Sequence, residues 1–245
     1  MNTQKVALIT GAARRIGAKI AETLHSTGFN IVLHYYRSEK DAAHLCEHFN
    51  QSRPGSAIKI SANLQQMTCL KELAVQASQA WGRLDVLVNN ASCFIKSPIG
   101  QADEALWQEI MDTNLKAPFM LSQLVAPQLA KTKGCIVNIT DVHTETAFRD
   151  YAVYCISKAG LVSATKVLAK ELGPDVRVNA ISPGMIMWPE HENELAEGLK
   201  AKITNEAALK RVGSPIDIAK AVLFFVQEAD YVTGQVLTVD GGRLL

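Results

Sequence analysis

Seven short apolar runs alternate with helix-length segments along the whole chain. Most of these runs are continuously apolar, which is typical of strands that are buried on both faces. The predicted strands are 6–11, 30–36, 57–63, 84–91, 135–141, 176–184 and 236–242. The predicted helices are 14–27, 39–51, 67–81, 103–131, 152–172 and 215–227. We therefore expect an α/β fold, a doubly wound parallel sheet of about seven strands with helices on both faces.

The 245 residues contain no linker, repeat or low-complexity tract, so we expect one domain over 1–245. The net charge of +1 gives no field that would favour a nucleic acid or a membrane surface. The N-terminus enters an apolar strand without the core of a signal peptide, and we identify no apolar run long enough to span a membrane. Five scattered cysteines without a Cys-x-x-Cys pair favour reduced thiols and a cytoplasmic location.

One region, 185–214, has no regular pattern. It follows the carboxyl end of a predicted strand, where ligands bind in open α/β sheets. We expect the part at about 185–212 to be a substrate loop that covers the site. Trp188 fits a pocket wall or a core or interface position equally well.

The segment TGAARRIG (10–17) closes the first predicted strand and opens the first helix. Small residues there let the backbone approach a pyrophosphate, whose charge a helix N-terminus attracts. We expect Gly11, Ile16 and Gly17 to contact a dinucleotide. Arg15 stands where the usual loop has its middle glycine, and its planar guanidinium suits a phosphate or a substrate carbonyl. A solvated surface arginine is the alternative.

The segment LHYYRSEK after the second strand indicates which nicotinamide cofactor is bound. An NAD site usually has an acid here for the ribose hydroxyl, whereas Arg37 and Ser38 suit a 2′-phosphate. Glu39 lies at the next helix start and should point away. We therefore predict NADPH.

Further cofactor contacts are expected at the ends of four strands. For Asn63, which could hydrogen-bond an adenine, a strand-end turn is an equally good interpretation. The expected residues are His34, Tyr35, Asn63, Leu64, Asn90, Ala91, Ser92, Pro183 and Gly184.

Tyr154 and Lys158 share a helix face because they lie four residues apart. A free phenol has a pKa near ~10, and a nearby ammonium favours the phenolate. The same lysine can hold a ribose. Asn114 is polar amid apolar residues of the helix predicted over 103–131. We expect it to relay protons through water to Lys158, with bending of the helix as the alternative.

Together these motifs resemble the short-chain dehydrogenase/reductase family. The resemblance covers the whole chain and includes TGAARRIG, NNAS, Asn114, Tyr154-x-x-x-Lys158, SPG (182–184) and YVTGQVLTVDGG. It implies a single Rossmann-type domain, commonly in a homotetramer. It also implies that Tyr154 exchanges a proton, that Lys158 lowers the pKa of Tyr154 and binds the nicotinamide ribose, and that Asn114 completes a water relay.

Two departures from the family pattern resemble its pteridine reductases. Asp141 replaces the usual serine and Arg15 replaces a glycine. The same subgroup carries a HYxRS segment, matched at 34–38, and NNASxF, matched by Ser92 and Phe94. The resemblance implies reduction of dihydropterins such as dihydrobiopterin, dihydromonapterin or dihydrofolate, with the exact pterin left open.

Reduction of a pterin C=N bond explains the acid, because nitrogen must gain a proton as carbon gains hydride. Burial beside ligand could raise the pKa of Asp141 and keep it protonated. Asp141 and Tyr154 would then supply the proton. Phe94 would stack on the pterin, while Arg15 and Ser92 would hydrogen-bond it. The alternatives are core packing for Phe94 and a strand-end cap for Asp141.

Two other functions compete with this one. A carbonyl reductase of the same family that acts on a ketone would share Tyr154 and Lys158, but Asp141 and Arg15 argue against it. A non-enzymatic sensor that binds NADPH is disfavoured because Tyr154, Lys158 and Asn114 are all present.

The remaining candidates carry less weight. His44 and His48 have the spacing of a metal pair, but no third ligand is evident, so no metal is expected. For His143, which lies two residues after Asp141, contact with a ligand and no contact are equally good interpretations. From the resemblance, Arg243 would help close the site of a neighbouring subunit. The expected partners are a pterin or folate and copies of this chain, with no nucleic acid and no membrane.

Overall fold

The computed structural model describes residues 4–188 and 197–245. A parallel sheet of seven strands lies at the centre, in the spatial order β3-β2-β1-β4-β5-β6-β7. All residues of β1, β2, β4 and β5 are buried, which explains their continuously apolar sequences. The strands are β1 (Val6–Ile9), β2 (Asn30–Tyr35), β3 (Ala57–Ser61), β4 (Val86–Asn89), β5 (Cys135–Ile139), β6 (Arg177–Pro183) and β7 (Val236–Val239).

Helices cover both faces of the sheet, so the predicted fold class is confirmed. One face packs on α1, α2 and α8, and the other packs on α3, α5 and α6. The helices are α1 (Arg15–Ser26), α2 (Glu39–Ser52), α3 (Met67–Gln79), α4 (Glu104–Met111), α5 (Ala117–Thr132), α6 (Ala152–Leu172), α7 (Glu197–Glu206) and α8 (Pro215–Gln227). Leucine, isoleucine and valine side chains fill both interfaces, where their burial drives folding.

The order of the strands reverses between β1 and β4. From β1 the chain proceeds outward to β2 and β3, then returns to β4 on the other side of β1. The loops after β1 and β4 therefore diverge and leave a crevice at the carboxyl ends of the strands. Ligands of doubly wound folds bind at such a crevice.

The single helix predicted over 103–131 is interrupted. A π-helical turn, Asp112–Lys116, separates α4 from α5, and the amide of Ala117 donates to the carbonyl of Asp112. The apolar periodicity is the same on both sides of the turn, so the pattern could not reveal one extra residue. Such turns are frequent at functional sites, and this one contains Asn114.

The prediction that 185–214 lacks regular structure is wrong in part, because α7 (Glu197–Glu206) lies within it. Its sequence, EGLKAKITNE, has too few apolar residues for a recognisable helical stripe. Ile203 is buried nonetheless. Residues 189–196 of the expected substrate loop lie outside the described residues.

Helix α6 is the one described helix that is long and apolar enough by composition to cross a membrane. The sequence interpretation did not single it out. Half of the stretch is buried inside the fold, as expected for a core helix. Its packing against the sheet accounts for its apolar character.

Candidate active site

A cavity of about 450 Å³ opens at the carboxyl ends of the strands. It brings together side chains from the loops after β1, β4, β5 and β6, from α6 and α7, and from the C-terminal segment. The lining residues are Arg15, Ile16, Asn90, Ser92, Phe94, Ile139, Thr140, Asp141, His143, Phe148, Tyr151, Tyr154, Lys158, Pro183, Gly184, Met185, Ile186, Met187, Ile203 and Arg243. Many of the predicted site residues therefore meet in one place.

The loop after β1 is packed so closely that two of its positions require glycine. Gly11 has φ +61°, a left-handed conformation that glycine adopts without strain. A Cβ on Gly17 would lie 2.2 Å from the carbonyl oxygen of Gly11. Asn90 Nδ2 donates to the carbonyls of Thr10 (2.9 Å) and Gly11 (3.1 Å) and braces the turn from β4. The cradle fits a pyrophosphate group.

Arg15 adopts φ +56°, also in the left-handed region, at the place where glycine is usual. Its guanidinium lines the cavity, and Nη2 donates to the carbonyl oxygen of Trp188 at 3.2 Å. The arginine thus connects the phosphate loop to the segment after β6. Trp188 is not among the described residues that line the cavity. Its backbone carbonyl, which accepts the hydrogen bond from Arg15, is therefore its contribution here.

The structure corrects the prediction that His34 contacts the cofactor. The His34 side chain is 1% exposed. The amide of Gly11 donates to Nδ1 (3.1 Å), so the proton resides on Nε2, which donates to the carbonyl of Ala62 (3.1 Å). Burial lowers the pKa of His34 to about 4, so the ring is neutral. Both nitrogens are used, and His34 shapes the phosphate loop instead.

Tyr35 is also directed away from the crevice. It is buried, and its hydroxyl donates to Glu39 Oε1 at 3.4 Å. Glu39 also accepts from Lys59 at 3.1 Å, so the acid points away as expected. Arg37 is exposed, and its guanidinium lies 5.2 Å from the ring centre of the half-exposed Tyr36. Arg37 is therefore accessible to a phosphate.

Asn63 has the alternative role, a strand-end turn. Its Oδ1 accepts from the amide of Gln65 at 3.1 Å, and the amide of Gln66 donates to its carbonyl. The neighbouring Leu64 is buried in the core.

Two further predicted cofactor contacts lie at the ends of β2 and β4. Ser38 stands immediately before α2, next to Arg37. Ala91 follows β4, and its amide donates to Thr10 Oγ1 at 3.0 Å.

Asp141 lies between two side chains. Tyr154 Oη donates to Asp141 Oδ2 at 2.7 Å. On its other oxygen, Asp141 Oδ1 accepts from the backbone amide of His143 (2.9 Å) and lies 2.6 Å from His143 Nδ1. Asp141 caps a short 3₁₀ turn, Val142–Thr144. Asp141 thus has both positions considered for it, because it caps a turn after a strand and also contacts Tyr154.

The structure reverses the expected pKa shift of Asp141. Burial acts to raise this pKa, but hydrogen bonds and charge from His143 and the hydrogen bond from Tyr154 outweigh it and lower the pKa. Asp141 is therefore ionised in the free site. Burial, followed by the negative charge of Asp141, raises the pKa of Tyr154 well above its usual value. The pair thus holds one proton, on the phenol.

Lys158 lies beneath the tyrosine. Nζ donates to the carbonyl of Ile139 at 2.9 Å and lies 5.8 Å from the centre of the Tyr154 ring. Burial lowers the pKa of Lys158 to about 8, against the opposing charge of Asp141. The expectation that Lys158 lowers the pKa of Tyr154 is not met in the free site, where burial and Asp141 dominate.

The Asn114 side chain is fully buried, and both its ends are engaged. Nδ2 donates to the Cys93 carbonyl (2.9 Å) and to Ser157 Oγ (3.0 Å). Oδ1 accepts from the Cys93 amide (2.7 Å) and from Ser92 Oγ (3.2 Å). These four bonds use all of the hydrogen-bonding capacity of its side-chain amide, so the side chain positions the loop after β4. The water relay to Lys158 stays a prediction.

Phe94 lies in an aromatic cluster that forms one wall of the cavity. Its ring stacks on Tyr151 (4.3 Å between centroids) and meets Tyr154 edge-on (4.8 Å). Phe148 also stacks on Tyr151 (4.9 Å), and His143 lies against Phe148. Phe94 thus combines the two roles considered for it, packing and lining.

Arg243 lines the cavity of its own chain, and its expected role at the site of a neighbouring subunit stays a prediction. Its Nε lies 3.4 Å from Glu206 Oε2 at the end of α7. The C-terminal segment and α7 are therefore joined at the rim. Among the described residues, no group of three His, Cys, Asp or Glu side chains could hold a metal ion.

Sequence reasoning missed several residues at the site, among them Phe148 and Tyr151 of the aromatic wall. Thr10 Oγ1 accepts from the amides of Asn90 and Ala91, both at 3.0 Å, and joins β1 to β4. The position of Thr10, a hydroxyl residue between a buried strand and the glycine loop, could have indicated this role. Tyr36, exposed beside Arg37, could have been noticed as an aromatic residue after a buried strand.

The fold, the glycine cradle and the buried Tyr154–Lys158 pair together define an oxidoreductase with a dinucleotide site. A family model described as Enoyl-(Acyl carrier protein) reductase matches residues 11–243. The chain belongs to the short-chain dehydrogenase/reductase family, whose members use NAD(P)H.

The chain is similar over nearly its whole length to relatives named as 3-oxoacyl-(acyl-carrier-protein) reductases and to one named as a pteridine reductase. The 3-oxoacyl-(acyl-carrier-protein) reductase FabG of Staphylococcus epidermidis is 35% identical, over 98% of this chain and 99% of the relative. FabG of Thermotoga maritima is 34% identical, over 98% of both chains. Pteridine reductase 1 of Leishmania tarentolae is 32% identical, over 99% of this chain and 97% of the relative.

Proposed function

We propose that the protein uses NADPH to reduce the C=N bond of a dihydropterin to the tetrahydro form. The observation that carries the proposal is the 2.7 Å hydrogen bond from Tyr154 Oη to Asp141 Oδ2. From the family resemblance, a ketone reductase would carry a serine hydroxyl in the place of Asp141. A carboxyl group can carry and pass on a proton, as a reduced nitrogen requires.

The residues of the crevice fit the cofactor. Gly11 and Gly17 form a cradle that a Cβ would fill, and the N-terminus of α1 favours the charge of a pyrophosphate. Arg37, with Ser38 beside it, would hold a 2′-phosphate through its planar fork of donors. Bound NADPH supplies hydride. Lys158, at the base of the cavity, would hold the nicotinamide ribose, with Pro183 and Gly184 on the opposite side.

The chain's own residues supply the proton. Tyr154 holds it on the phenol oxygen, and Asp141 accepts the hydrogen bond and orients the phenol. Delivery to the pterin nitrogen requires Tyr154 to turn its donor from Asp141 toward the substrate. Burial of the phenol lowers the local dielectric constant and strengthens this hydrogen bond.

The remaining cavity side chains would orient the pterin. The aromatic wall at Phe94 offers a face for a flat heterocycle. Arg15 and Ser92 offer donors to its carbonyl and ring nitrogens. Residues at about 185–212 would cover the substrate, with Ile203 of α7 as part of the cover.

We place the protein in the cytoplasm as a homotetramer. Its five cysteines are all free, as reduced thiols would be. The family resemblance supports the assembly. Size-exclusion chromatography with light scattering would test it, and a monomer would contradict it.

The test of function is NADPH oxidation by the purified protein with 7,8-dihydrobiopterin, dihydromonapterin and dihydrofolate. We expect clear turnover of at least one dihydropterin, and slower turnover when NADH replaces NADPH. Simple ketones serve as the comparison series. Turnover of ketones with none of any dihydropterin would contradict the proposal.

A second candidate is reduction of a 3-oxoacyl thioester, since the FabG relatives are 34–35% identical over nearly the whole chain. Such a ketone acceptor would use Tyr154 and Lys158 in the same way. The proton then goes to oxygen, for which a serine hydroxyl would suffice. Acetoacetyl-CoA in the same assay separates the two, because Asp141 is needed only for the pterin.

A further inference from the structure

His143 is held in a defined position beside the proton-supplying pair. Its Nδ1 lies 2.6 Å from Asp141 Oδ1, and its backbone amide donates to the same oxygen at 2.9 Å. Its ring lies 4.5 Å, centroid to centroid, from the ring of Phe148. The side chain is 13% exposed and lines the cavity. Backbone and aromatic contacts therefore fix the imidazole against the carboxylate.

The arrangement resolves the tautomer. Asp141 Oδ1 of an ionised carboxylate only accepts, so His143 Nδ1 carries a proton and donates it. The second nitrogen, Nε2, is then the position at which the ring gains or loses charge. The other oxygen, Oδ2, is taken by Tyr154. The three side chains thus form one chain of hydrogen bonds, from His143 through Asp141 to Tyr154.

Each turnover removes a proton from Tyr154, at one end of this row of hydrogen bonds. When Tyr154 gives up its proton, a phenolate is left next to the partly buried carboxylate of Asp141. Two like charges at hydrogen-bond distance in a buried site are strongly unfavourable. A proton must therefore return before the next cycle, and Asp141 is the group that faces the phenol.

We propose that His143 is a positioning residue that orients Asp141 and returns a proton to it after each turnover. The inference rests on the proposed function. Water protonates His143 at Nε2, and the imidazolium transfers its Nδ1 proton to Asp141 Oδ1. The carboxyl group turns about its Cβ–Cγ bond and gives this proton to Tyr154 Oη. The ring then releases its Nε2 proton to water and takes one back at Nδ1, which restores the starting tautomer. One proton enters for each hydride that the substrate accepts from NADPH, so the reaction balances.

Other ionisable groups face the same cavity and must be separated from His143 in any pH profile. Arg15 and Arg243 stay charged throughout. Among the groups that titrate are Tyr154 and Lys158 on α6, Tyr151 at its start, and Asp141 itself. The pKa of Lys158 is lowered to about 8 by burial and falls nearest to the range in which imidazole changes charge.

Two substitutions separate positioning from proton return. His143→Asn keeps a neutral donor near the place of Nδ1 but cannot carry a proton. His143→Phe keeps a ring against Phe148 but removes the donor. Measurements of kcat and KM for the dihydropterin are made from about pH 5.5 to 9, across the imidazole range. If the wild type reduces only ketones, the same series is run with the ketone.

We expect His143→Asn to lower kcat near neutral pH by about 10-fold or more, which is less than the roughly 100-fold expected for a group that transfers the proton to substrate directly, with KM for NADPH unchanged. The decrease of kcat across the imidazole range should disappear in this variant, whereas the decrease due to Lys158 should remain. His143→Phe should lose activity further. A wild-type pH profile in the Asn variant would overturn proton return.

A second readout does not depend on turnover. The ring proton signals of the six histidines are recorded by NMR at one fixed pH, and the signals of His143 are assigned by their absence in the Asn variant. We expect Asp141→Asn to change the chemical shifts of the His143 ring protons, because Nδ1 lies 2.6 Å from the carboxylate oxygen that the variant replaces. Unchanged His143 signals would overturn the coupling. Failure of the proposed function would appear separately, as an absence of dihydropterin turnover by the wild type.

Discussion

Asp141 and Tyr154 share a hydrogen bond of 2.7 Å at the floor of a cavity, and the phenol is the donor. The carboxylate is ionised because its other oxygen is bound by His143. Burial, together with the negative charge of this carboxylate, raises the pKa of Tyr154 well above its usual value. The shared proton therefore lies on the phenol oxygen of Tyr154, and Asp141 carries the negative charge.

Replacing Asp141 by serine should separate the two candidate functions. We expect kcat/KM for a dihydropterin to fall by about 100-fold or more, within the range for a positioned acid. The Kd for NADPH, from quenching of intrinsic fluorescence, should change by less than about 2-fold, since Asp141 does not touch the phosphate loop. Ketone reduction should persist.

The control for that variant is Asp175→Asn, an exposed acid paired with Lys133 far from the cavity. It should leave both measurements at the wild-type values. Equal dihydropterin turnover by Asp141→Ser and wild type would contradict the role given to the carboxylate.

Replacing Arg37 by glutamate should change the preference between cofactors. The exposed guanidinium stands where a 2′-phosphate would lie, and an acid would repel it. We expect KM for NADPH to rise by about 10- to 100-fold, while KM for NADH changes little. Lys131→Glu, the same charge reversal in the last turn of α5, is the matched control. An equal rise for both cofactors would argue against phosphate recognition.

Replacing Arg15 by glycine should weaken substrate binding without unfolding the protein. Arg15 has φ +56°, so glycine relieves strain of about 1 kcal/mol while adding freedom to the unfolded chain. We expect the free energy of unfolding in urea to change by less than about 1 kcal/mol. KM for the dihydropterin should rise by about 10-fold, the loss of one charged hydrogen bond.

Arg14→Gly is the matched control for Arg15→Gly. Arg14 has φ −145°, where glycine relieves nothing, and it is exposed. We expect slightly lower stability and an unchanged KM. A similar KM increase in both variants would mean that loop flexibility, rather than the Arg15 side chain, is responsible.

Acid should destabilise the fold through His34. Its folded pKa, about 4, lies below the ordinary value of 6.5, so the unfolded chain binds the extra proton between these two values. Stability is complete above about pH 6.5 and falls as the pH decreases toward 4, by up to about 3 kcal/mol. Urea unfolding at several pH values, compared with His34→Asn, measures this contribution. A His34→Asn variant with the same slope as the wild type would contradict it.

Much of the fold was readable from local pattern. The seven strands were found because burial on both faces leaves continuous apolar runs, and their observed ends lie within a few residues of the predicted ones. Helix α7 was missed because few of its residues are apolar. The π turn at Asn114 was missed because one extra residue does not disturb the apolar stripe.

The sequence by itself determined the class of fold, the glycine loop, the position of Asp141 after a strand, and the shared helix face of Tyr154 and Lys158. These features depend on neighbours in the chain, through periodicity, turn geometry and helical spacing. Only the tertiary structure decided that His34 faces inward and that Asp141 is ionised. Protonation and hydrogen-bond partners depend on burial and on residues distant in sequence, which no local pattern contains.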